Sequence, residues 1–378
     1  MLTPTDIAEL TAFRRALHQQ PELSGQEQKT ARALLAFLAD THPDEVLTGL
    51  GGHGLALTYG TSGPRVLLRA ELDALPITEL TGAPHASRVP GKGHLCGHDG
   101  HMAILAATAR LIRRDPPNGR ITLLFQPAEE DGSGAAAVMA DPRYARIMPD
   151  YAFALHNMPG VETGCALLAA GPVNCASMGL KIRLTGKTAH ASLPHTGVSP
   201  APALAALIPA LTALASAGSL DDSYRLTTVT HAWLGEAAFG IAPGQAELWV
   251  TLRTLTDAAM DGLLDAARHL VTKIALAHGL AYDCSQHDIF RACLNDPAAT
   301  TVLSQTLTDL GIAFCAENLP MRASEDFGRF GATTRSAMLF LGAGVSHPAL
   351  HNPDYDFPDD LIALGAAIFD HACRRVLI

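Results

Sequence analysis

Cysteine and histidine are concentrated in one short segment, His94–His101, which reads HLCGHDGH and leads into a predicted helix. A thiolate and several imidazoles form a donor set suited to zinc and to other first-row metals. The same spacing also fits a reactive thiol, with Cys96 as nucleophile and His98 as base, or a polar helix N-terminus. The segment alone does not choose among these interpretations.

Three further segments carry polar side chains that a buried core would not use. Glu129, Glu130 and Asp131 follow an apolar run, where three acids repel one another unless a cation, a proton or a helix N-terminus offsets their charge. His156 ends a second apolar run and His351 lies in a later loop; either histidine alone would more often be structural. Together the four segments offer nitrogen, sulfur and oxygen donors from separate loops: Cys96, His98, Glu130, His156 and His351.

These donors are too many for one tetrahedral zinc ion but suit two divalent metals that share a ligand. We therefore expect two divalent ions per chain, zinc or manganese, with nickel or cobalt as alternatives, because ligand softness and metal availability both matter. Metal-bound imidazoles generally need an acceptor for the other ring N–H. Asp73, His94, Asp99 and His101 are accordingly expected to support the ligands or to cap the helix.

Short apolar runs alternate with helix-like stretches in the first half of the chain. The runs are Arg65–Ala70, Ile121–Phe125 and Tyr151–Leu155, with helix-like stretches at 100–114 and 131–140. This alternation predicts an α/β fold with a mainly parallel sheet flanked by helices, whose sites lie beyond the carboxyl ends of the strands. An opening pair of helices is expected over 3–41, with a capping box formed by Ser24 and Glu27.

The pattern changes between 177 and 293. A strand, a helix, two strands, a long helix and a last strand are expected at 179–184, 199–216, 225–234, 245–253, 256–278 and 280–285. This order predicts a ferredoxin-like βαββαβ domain. We therefore predict a metal-binding catalytic domain of residues 1–176 plus 294–378, interrupted by an inserted domain of residues 177–293.

The composition excludes several classes of function. Of 378 residues, 27 are Lys or Arg and 37 are Asp or Glu, which gives a formal net charge of −10 at pH 7. This acidic balance, without a basic run or an apolar stretch of about 20 residues, argues against nucleic-acid and membrane partners. Seven scattered cysteines and an N-terminus that lacks an export signal predict a cytoplasmic protein.

An ordered series of motifs resembles the metal-dependent amidohydrolase family that contains hippurate hydrolase, bacterial aminoacylases and plant auxin-conjugate hydrolases. That family belongs to the larger clan of dinuclear-metal aminoacylases and carboxypeptidases. The motifs run essentially end to end: RALHQQPELSGQE (15–27), LLRAELDALPI (67–77), HLCGHDGHMA (94–103), FQPAEEDGSGA (125–135), ALHNMPG (154–160), GKTAHASLPHTGVSP (186–200), SEDF (324–327) and LHNPDYDFPDD (350–360).

The resemblance implies roles for the candidate residues. Cys96 would bridge two metals, with His98 and His156 completing one site and Glu130 and His351 the other. Glu129 would be the general base. The inserted domain would form a homodimer and act as a lid, bringing His190 to the partner's active site to stabilise the oxyanion; from the residues alone, His190 is a solvated loop histidine.

The implied reaction is hydrolysis of the amide bond of an N-acyl amino acid or short peptide, a small-molecule substrate, which releases an amino acid and a carboxylic acid. Dipeptidase or carboxypeptidase action on short peptides is the alternative. Arg253 and Arg291 are candidates to bind the carboxylate of the leaving amino acid.

The chain departs from the family pattern at two positions. Gly240, in the run FGIAP, stands where the family usually has a substrate-contacting Asn, and Glu71 stands where Asp is common. Neither change removes a ligand or the base, so we expect activity to survive and substrate preference to change.

Two other classes of protein compete with this interpretation. A thiol enzyme built on Cys96 and His98 would leave Glu129 and Glu130 unexplained. A metal-retaining binding protein with reduced activity would fit Gly240, but the presence of Glu129 and the full ligand set argues against it.

Overall fold

The computed structural model describes residues 1–216 and 218–377; Ala217 and Ile378, which the predicted domains include, lie outside the described residues. The chain forms two compact units. The first comprises Met1–Val173, Leu294–Leu319 and the residues from Asp326 onward, and the second comprises Asn174–Cys293 and Pro320–Glu325. The last of these segments was expected in the first unit. It belongs to the second because Cys175 N–H donates to the carbonyls of Met321 and Ala323, each at 3.1 Å.

Helices and strands are labelled in chain order. The helices are α1 (Pro4–His18), α2 (Gln28–Phe37), α3 (His98–Arg114), α4 (Gly134–Ala140), α5 (Ala201–Thr212), α6 (Asp257–Ala277), α7 (Pro297–Asp309) and α8 (Leu361–Val376). The strands are β1 (Glu45–Leu50), β2 (Gly54–Tyr59), β3 (Arg65–Glu71), β4 (Arg120–Gln126), β5 (Tyr151–Pro159), β6 (Ala166–Leu167), β7 (Gly171–Asn174), β8 (Ala176–Thr185), β9 (Ala189–His190), β10 (Arg225–Leu234), β11 (Ile241–Ala242), β12 (Gln245–Thr254), β13 (Ala281–Phe290), β14 (Cys293–Asn295), β15 (Phe314–Cys315) and β16 (Arg335–Gly344). Within the described residues, no helix is both long enough and apolar enough to cross a membrane.

The first unit is built on an eight-stranded sheet with the order β1-β2-β4-β3-β5-β16-β6-β15. Strands β4, β3, β5 and β16 form its parallel centre, while β1 and β2 extend it as an antiparallel hairpin. The central strands are buried almost throughout, as expected of parallel strands whose two faces are both covered. The predicted mainly parallel α/β fold is therefore confirmed.

The start of the first helix pair differs from expectation. A capping box is present at α1, where Thr3 accepts from the Asp6 N–H and Asp6 accepts from the Thr3 N–H. At α2 the N-cap residue, Glu27, makes no side-chain capping hydrogen bond, and Glu22 accepts from the first-turn Thr30 N–H at 2.8 Å. Ser24 instead donates to Asp73 at 2.8 Å, so the predicted capping box of Ser24 and Glu27 was wrong.

The second unit carries the predicted βαββαβ order as a four-stranded antiparallel sheet, β10-β12-β8-β13. Alternate residues of β8, including Leu180 and Ile182, are buried in a core shared with Leu207 of α5 and Leu263 of α6. The short strands β9 and β11 pair separately. This confirms the ferredoxin-like arrangement.

Candidate active site

Three side chains from separate elements meet at the carboxyl edge of the parallel strands. Cys96 precedes α3, His98 begins α3, and His156 lies near the end of β5. One donor atom from each falls within 4.8 Å of the others, and the Cys96 Sγ to His156 Nε2 distance is 3.4 Å. All three are almost fully buried. This is a nitrogen and sulfur donor group of the kind that binds zinc and related metals.

A second donor group shares Cys96 with the first. Its other members are Glu130 and His351, and the donor atoms again lie within 4.8 Å of one another. His351 Nε2 is 3.8 Å from Glu130 Oε2, and the His351 side chain is 49% exposed. The two groups thus share one residue, Cys96, and the exposed His351 opens the second group to solvent.

Hydrogen bonds orient His98 toward these donors. Its Nδ1–H donates to the Asp73 carbonyl at 2.9 Å, while its Nε2 lies 3.8 Å from Glu130 and 4.0 Å from Glu129. Burial disfavours protonation, but the hydrogen bond to Asp73 and the charge of Glu130 raise the pKa of His98. Burial raises the pKa of Asp73, and its hydrogen bonds to His98 and other donors outweigh that effect and lower it. Asp73 also accepts from the Glu130 N–H at 3.0 Å.

The backbone around the site is strained at two non-glycine residues. Ala128 has φ 50° just before Glu129, and His351 itself has φ 66°. Both are held by hydrogen bonds: Ala128 N–H donates to Glu27 Oε1, and His351 N–H donates to the Leu95 carbonyl, each at 2.8 Å. Such left-handed backbone persists only where the surroundings impose it, and it is frequent at functional sites.

The predicted supporting residues have different surroundings. His101 Nδ1 lies 2.6 Å from Glu71 Oε2. Asp99 pairs with Arg14 at 3.0 Å and with His18 Nδ1 at 2.8 Å. His94 is buried, neither ring nitrogen makes a hydrogen bond within the described residues, and burial lowers its pKa to about 4. A residue that supports a metal ligand would have to form a hydrogen bond with it, and His94 forms none with the described residues.

Within the second unit, His190 and Gly240 are brought together. Strands β9 and β11 place His190 opposite Ile241, and the Ala191 N–H donates to the Gly240 carbonyl at 3.0 Å. His190 is exposed, and its Nδ1 accepts from the Ser192 hydroxyl at 2.7 Å. In the part of the chain that the structure describes, the His190 Nε2 makes no hydrogen bond.

The two arginine candidates have structural partners in that unit. Arg253 Nη1 donates to the Arg322 carbonyl at 2.9 Å and to Ser324 Oγ at 2.7 Å, which ties the segment 320–325 to β12. Arg291 is exposed and lies 3.4 Å from Asp257. Arg253 thus connects two segments of the second unit, and Arg291 forms an ion pair at its surface.

Of the buried polar residues around Arg69, only Glu71 was singled out from the sequence. Arg69 donates to Gln126 at 3.0 Å and also contacts Glu71 and Asp326, and all four side chains are buried. Two of these residues follow apolar runs in the sequence, which was a usable signal. Asp326 is 257 residues from Arg69, so no local pattern could pair them.

Comparisons with known proteins identify the family. The model of peptidase family M20/M25/M40 matches residues 67–375. Hippurate hydrolase of Campylobacter jejuni is 31% identical over 98% of this chain and 97% of its own length. N-acetyl-L-cysteine deacetylase of Bacillus subtilis is 30% identical over 98% of this chain and 88% of its own length.

A solved structure agrees with these sequence matches. YxeP of Bacillus subtilis, described as a dinuclear metal-binding peptidase of the M20 family, is 25% identical, covers 100% of this chain and 99% of its own, and has a TM-score of 0.82. The resemblance drawn from the sequence motifs is thereby confirmed. The chain belongs to peptidase family M20/M25/M40 and is a hydrolase of that family.

Proposed function

We propose that this protein hydrolyses the amide bond of N-acyl amino acids, releasing an amino acid and a carboxylic acid. The observation that carries the proposal is the position of Glu129 beside two donor groups that share Cys96. The relatives named as hippurate hydrolase and N-acetyl-L-cysteine deacetylase support this substrate class.

The donor set fits two divalent metal ions. Cys96, His98 and His156 would hold one ion, and Cys96, Glu130 and His351 the other. Zinc or manganese is proposed, with nickel or cobalt as alternatives, since a thiolate with imidazoles and a carboxylate accommodates all four. When bound, such ions polarise a substrate carbonyl and acidify water.

Glu129 moves the proton. Its carboxylate lies 4.0 Å from His98 Nε2, and the residue is 6% exposed. We assign it the task of taking a proton from the attacking water and delivering it to the leaving amine nitrogen.

The second unit supplies the remaining groups. We propose that two copies form a homodimer through it and that His190 of one copy stabilises the oxyanion in the other's site, for which its exposed imidazole is suited. Arg253, Arg291 and Gly240 are retained as proposed substrate contacts. All seven cysteines are thiols, which supports a cytoplasmic location.

The decisive variant is Glu129→Gln. We expect it to lower kcat for hippurate and N-acetylcysteine by about 10²- to 10⁴-fold, the usual contribution of a general base, with unchanged metal content. Asp131→Asn is the matched control, because Asp131 belongs to the same acidic run and, among the described residues, its carboxylate accepts only from the Ser133 N–H of its own turn. Hydrolysis that survives Glu129→Gln would contradict the proposal.

A substrate panel separates the alternatives. Faster turnover of unblocked dipeptides than of N-acyl amino acids would favour the dipeptidase or carboxypeptidase alternative. Metal binding without hydrolysis of either class would favour a binding protein.

Mixing two inactive variants tests the role of His190. Dimers that pair a Glu129→Gln chain with a His190→Ala chain would contain one site with both Glu129 and the partner's His190. Random reassortment of a twofold dimer should therefore restore about one quarter of wild-type activity. No recovery after confirmed subunit exchange would show that His190 does not act between subunits.

A further inference from the structure

A buried chain of hydrogen bonds runs behind the two donor groups in the first unit. Glu71 Oε2 lies 2.6 Å from His101 Nδ1, and His101 Nε2 lies 3.1 Å from the backbone nitrogen of Asn157. The three residues are at most 2% exposed. None of the proposed ligands belongs to this series of hydrogen bonds, but its last member, Asn157, contacts two of them.

The partners of His101 determine which ring nitrogen carries the proton. The backbone N–H of Asn157 can only donate, so His101 Nε2 must accept. His101 Nδ1 therefore carries the hydrogen and donates it to the Glu71 carboxylate. Glu71 thus fixes both the tautomer and the orientation of a ring whose opposite edge holds Asn157.

Asn157 connects this ring to two proposed ligands. Its side-chain Nδ2 donates to the Cys96 carbonyl at 2.7 Å, and its own carbonyl accepts from His156 Nδ1 at 2.7 Å. The first bond anchors the backbone that carries the Cys96 thiolate, and the second turns His156 Nε2 toward Cys96. One asparagine thus sets the relative position of a sulfur and a nitrogen donor.

The turn next to Cys96 leaves no room for a different arrangement. Gly97 has φ 89°, and a Cβ atom there would overlap Asn157 Nδ2. The Tyr355 hydroxyl donates to Asn157 Oδ1 from the far side. A displacement of Asn157 would therefore be transmitted to the Cys96-Gly97 backbone.

Glu71 is the residue at which this chain differs from the Asp common in the family. It is held by two groups at once, because Oε1 accepts from Arg69 Nη1 while Oε2 accepts from His101. Arg69 is itself fixed by Gln126 at 3.0 Å. A carboxylate shortened by one methylene could not keep both contacts without moving the strand or the ring.

We propose that Glu71 is a positioning residue that acts through His101 and Asn157 to set the geometry of the Cys96 and His156 donors. The inference rests on the proposed function, since it assumes that these donors bind a metal. Residues that orient ligands from behind commonly change metal affinity by about 10- to 100-fold when altered.

The test is cobalt titration of the full-length protein, followed by the thiolate-to-cobalt charge-transfer absorption. This band requires Cys96, so Cys96→Ser provides the blank. We expect Glu71→Asp to weaken the cobalt affinity by about 10-fold or more and to shift the band. Leu68→Ala is the matched control: Leu68 is a fully buried apolar residue of the same strand, and its loss should lower stability without moving the band.

A second variant tests the hydrogen bond between Asn157 and the Cys96 carbonyl. Asn157→Asp removes the donor to the Cys96 carbonyl, so we expect the same band shift. Both substitutions interrupt the same series of hydrogen bonds, so the double variant should lose little more cobalt affinity than either single variant. If Glu71→Asp does not fold, Asn157→Asp alone is compared with Leu68→Ala.

The outcomes distinguish this inference from the proposed function. A wild-type protein without a Cys96-dependent band would contradict the proposed function and this inference with it. A wild-type band that Glu71→Asp and Asn157→Asp leave unchanged, or additive losses of affinity in the double variant, would overturn this inference alone.

Discussion

Cys96 Sγ lies 3.4 Å from His156 Nε2, although 60 residues separate the two in the chain. A thiol this close to an imidazole can be a nucleophile beside its base or one of two ligands of a metal. The remaining neighbours distinguish these alternatives. His156 Nδ1 donates to a backbone carbonyl, which presents Nε2 to the thiol, and Cys96 belongs to a second donor group with Glu130 and His351. A thiol enzyme would have no use for the second group.

Alkylation kinetics test this distinction. We expect zinc or manganese to slow inactivation by iodoacetamide, because a metal-bound thiolate is shielded from the reagent. The exposed Cys315 provides an internal control, since its labelling rate should not depend on metal. Inactivation that proceeds at the same rate with and without metal would instead favour Cys96 as a nucleophile.

Gly97→Ala should damage the site and the fold together. The added Cβ would overlap Asn157 Nδ2 and lie 2.8 Å from the Tyr355 hydroxyl, in addition to the cost of φ 89° for alanine. We expect a loss of about 1–3 kcal/mol in the free energy of unfolding and weaker cobalt binding. Urea unfolding and cobalt titration measure the two effects.

The control for this substitution is Gly25→Ala. Gly25 has φ 74°, and the structure describes no atom within 4 Å of the added Cβ, so only the backbone cost of about 1–2 kcal/mol applies and cobalt binding should be unchanged. Equal effects of the two substitutions on cobalt affinity would show that packing against Asn157 is unimportant.

The parts of the fold and site that could be predicted from the sequence are those with local signals. The apolar runs that become β3, β4 and β5 are continuous, and the candidate ligands Glu130 and His156 lie beside or within their carboxyl ends. The β1–β2 hairpin was missed, although the Gly51-Gly52 pair between its strands is a recognised turn signal.

Long-range partners explain the remaining errors. Ser24 and Glu27 have the spacing of a capping box. The Ser24 hydroxyl instead donates to Asp73, and the Glu27 carboxylate accepts from the Ala128 N–H. Tyr355 contacts Asn157 from 198 residues away, so its role as a support of the site has no local signature. Tertiary hydrogen bonds of this kind override local preference and appear only once the chain is folded.

His18 should make stability fall as pH rises. It is fully buried between Asp99, 2.8 Å from Nδ1, and Glu79, 3.2 Å from Nε2. Burial alone would lower its pKa, but Asp99 and Glu79 together raise it to about 9, above the ordinary value of 6.5. The protonated histidine therefore stabilises the folded state fully below pH 6.5, and this contribution is lost as pH rises through about 9.

Urea unfolding of the metal-free protein between pH 6 and pH 9.5 measures this term. Wild type should lose on the order of 3 kcal/mol more than His18→Gln across that interval. His371→Gln is the control, because the pair of His371 with Asp309 is exposed and of little energetic weight. A pH dependence shared by wild type and His18→Gln would assign the loss to other groups.

Gly240→Asn should alter substrate preference without altering stability. No atom of the described residues lies within 4 Å of a Cβ at Gly240, and its φ is outside the left-handed region, so the side chain is accommodated freely. Gly240 follows the exposed Phe239, and its carbonyl accepts from the residue after His190, so a side chain there would share the surroundings proposed for the oxyanion.

A restored hydrogen bond of about 1–3 kcal/mol between the introduced asparagine and substrate corresponds to roughly a 5- to 150-fold gain in kcat/KM for the substrates that use it. The measurement is kcat/KM over a panel of N-acyl amino acids, with Gly262→Asn as a control at an equally open position on α6 of the same unit. A uniform change across the panel, or the same change in the control, would show that Gly240 does not contact substrate.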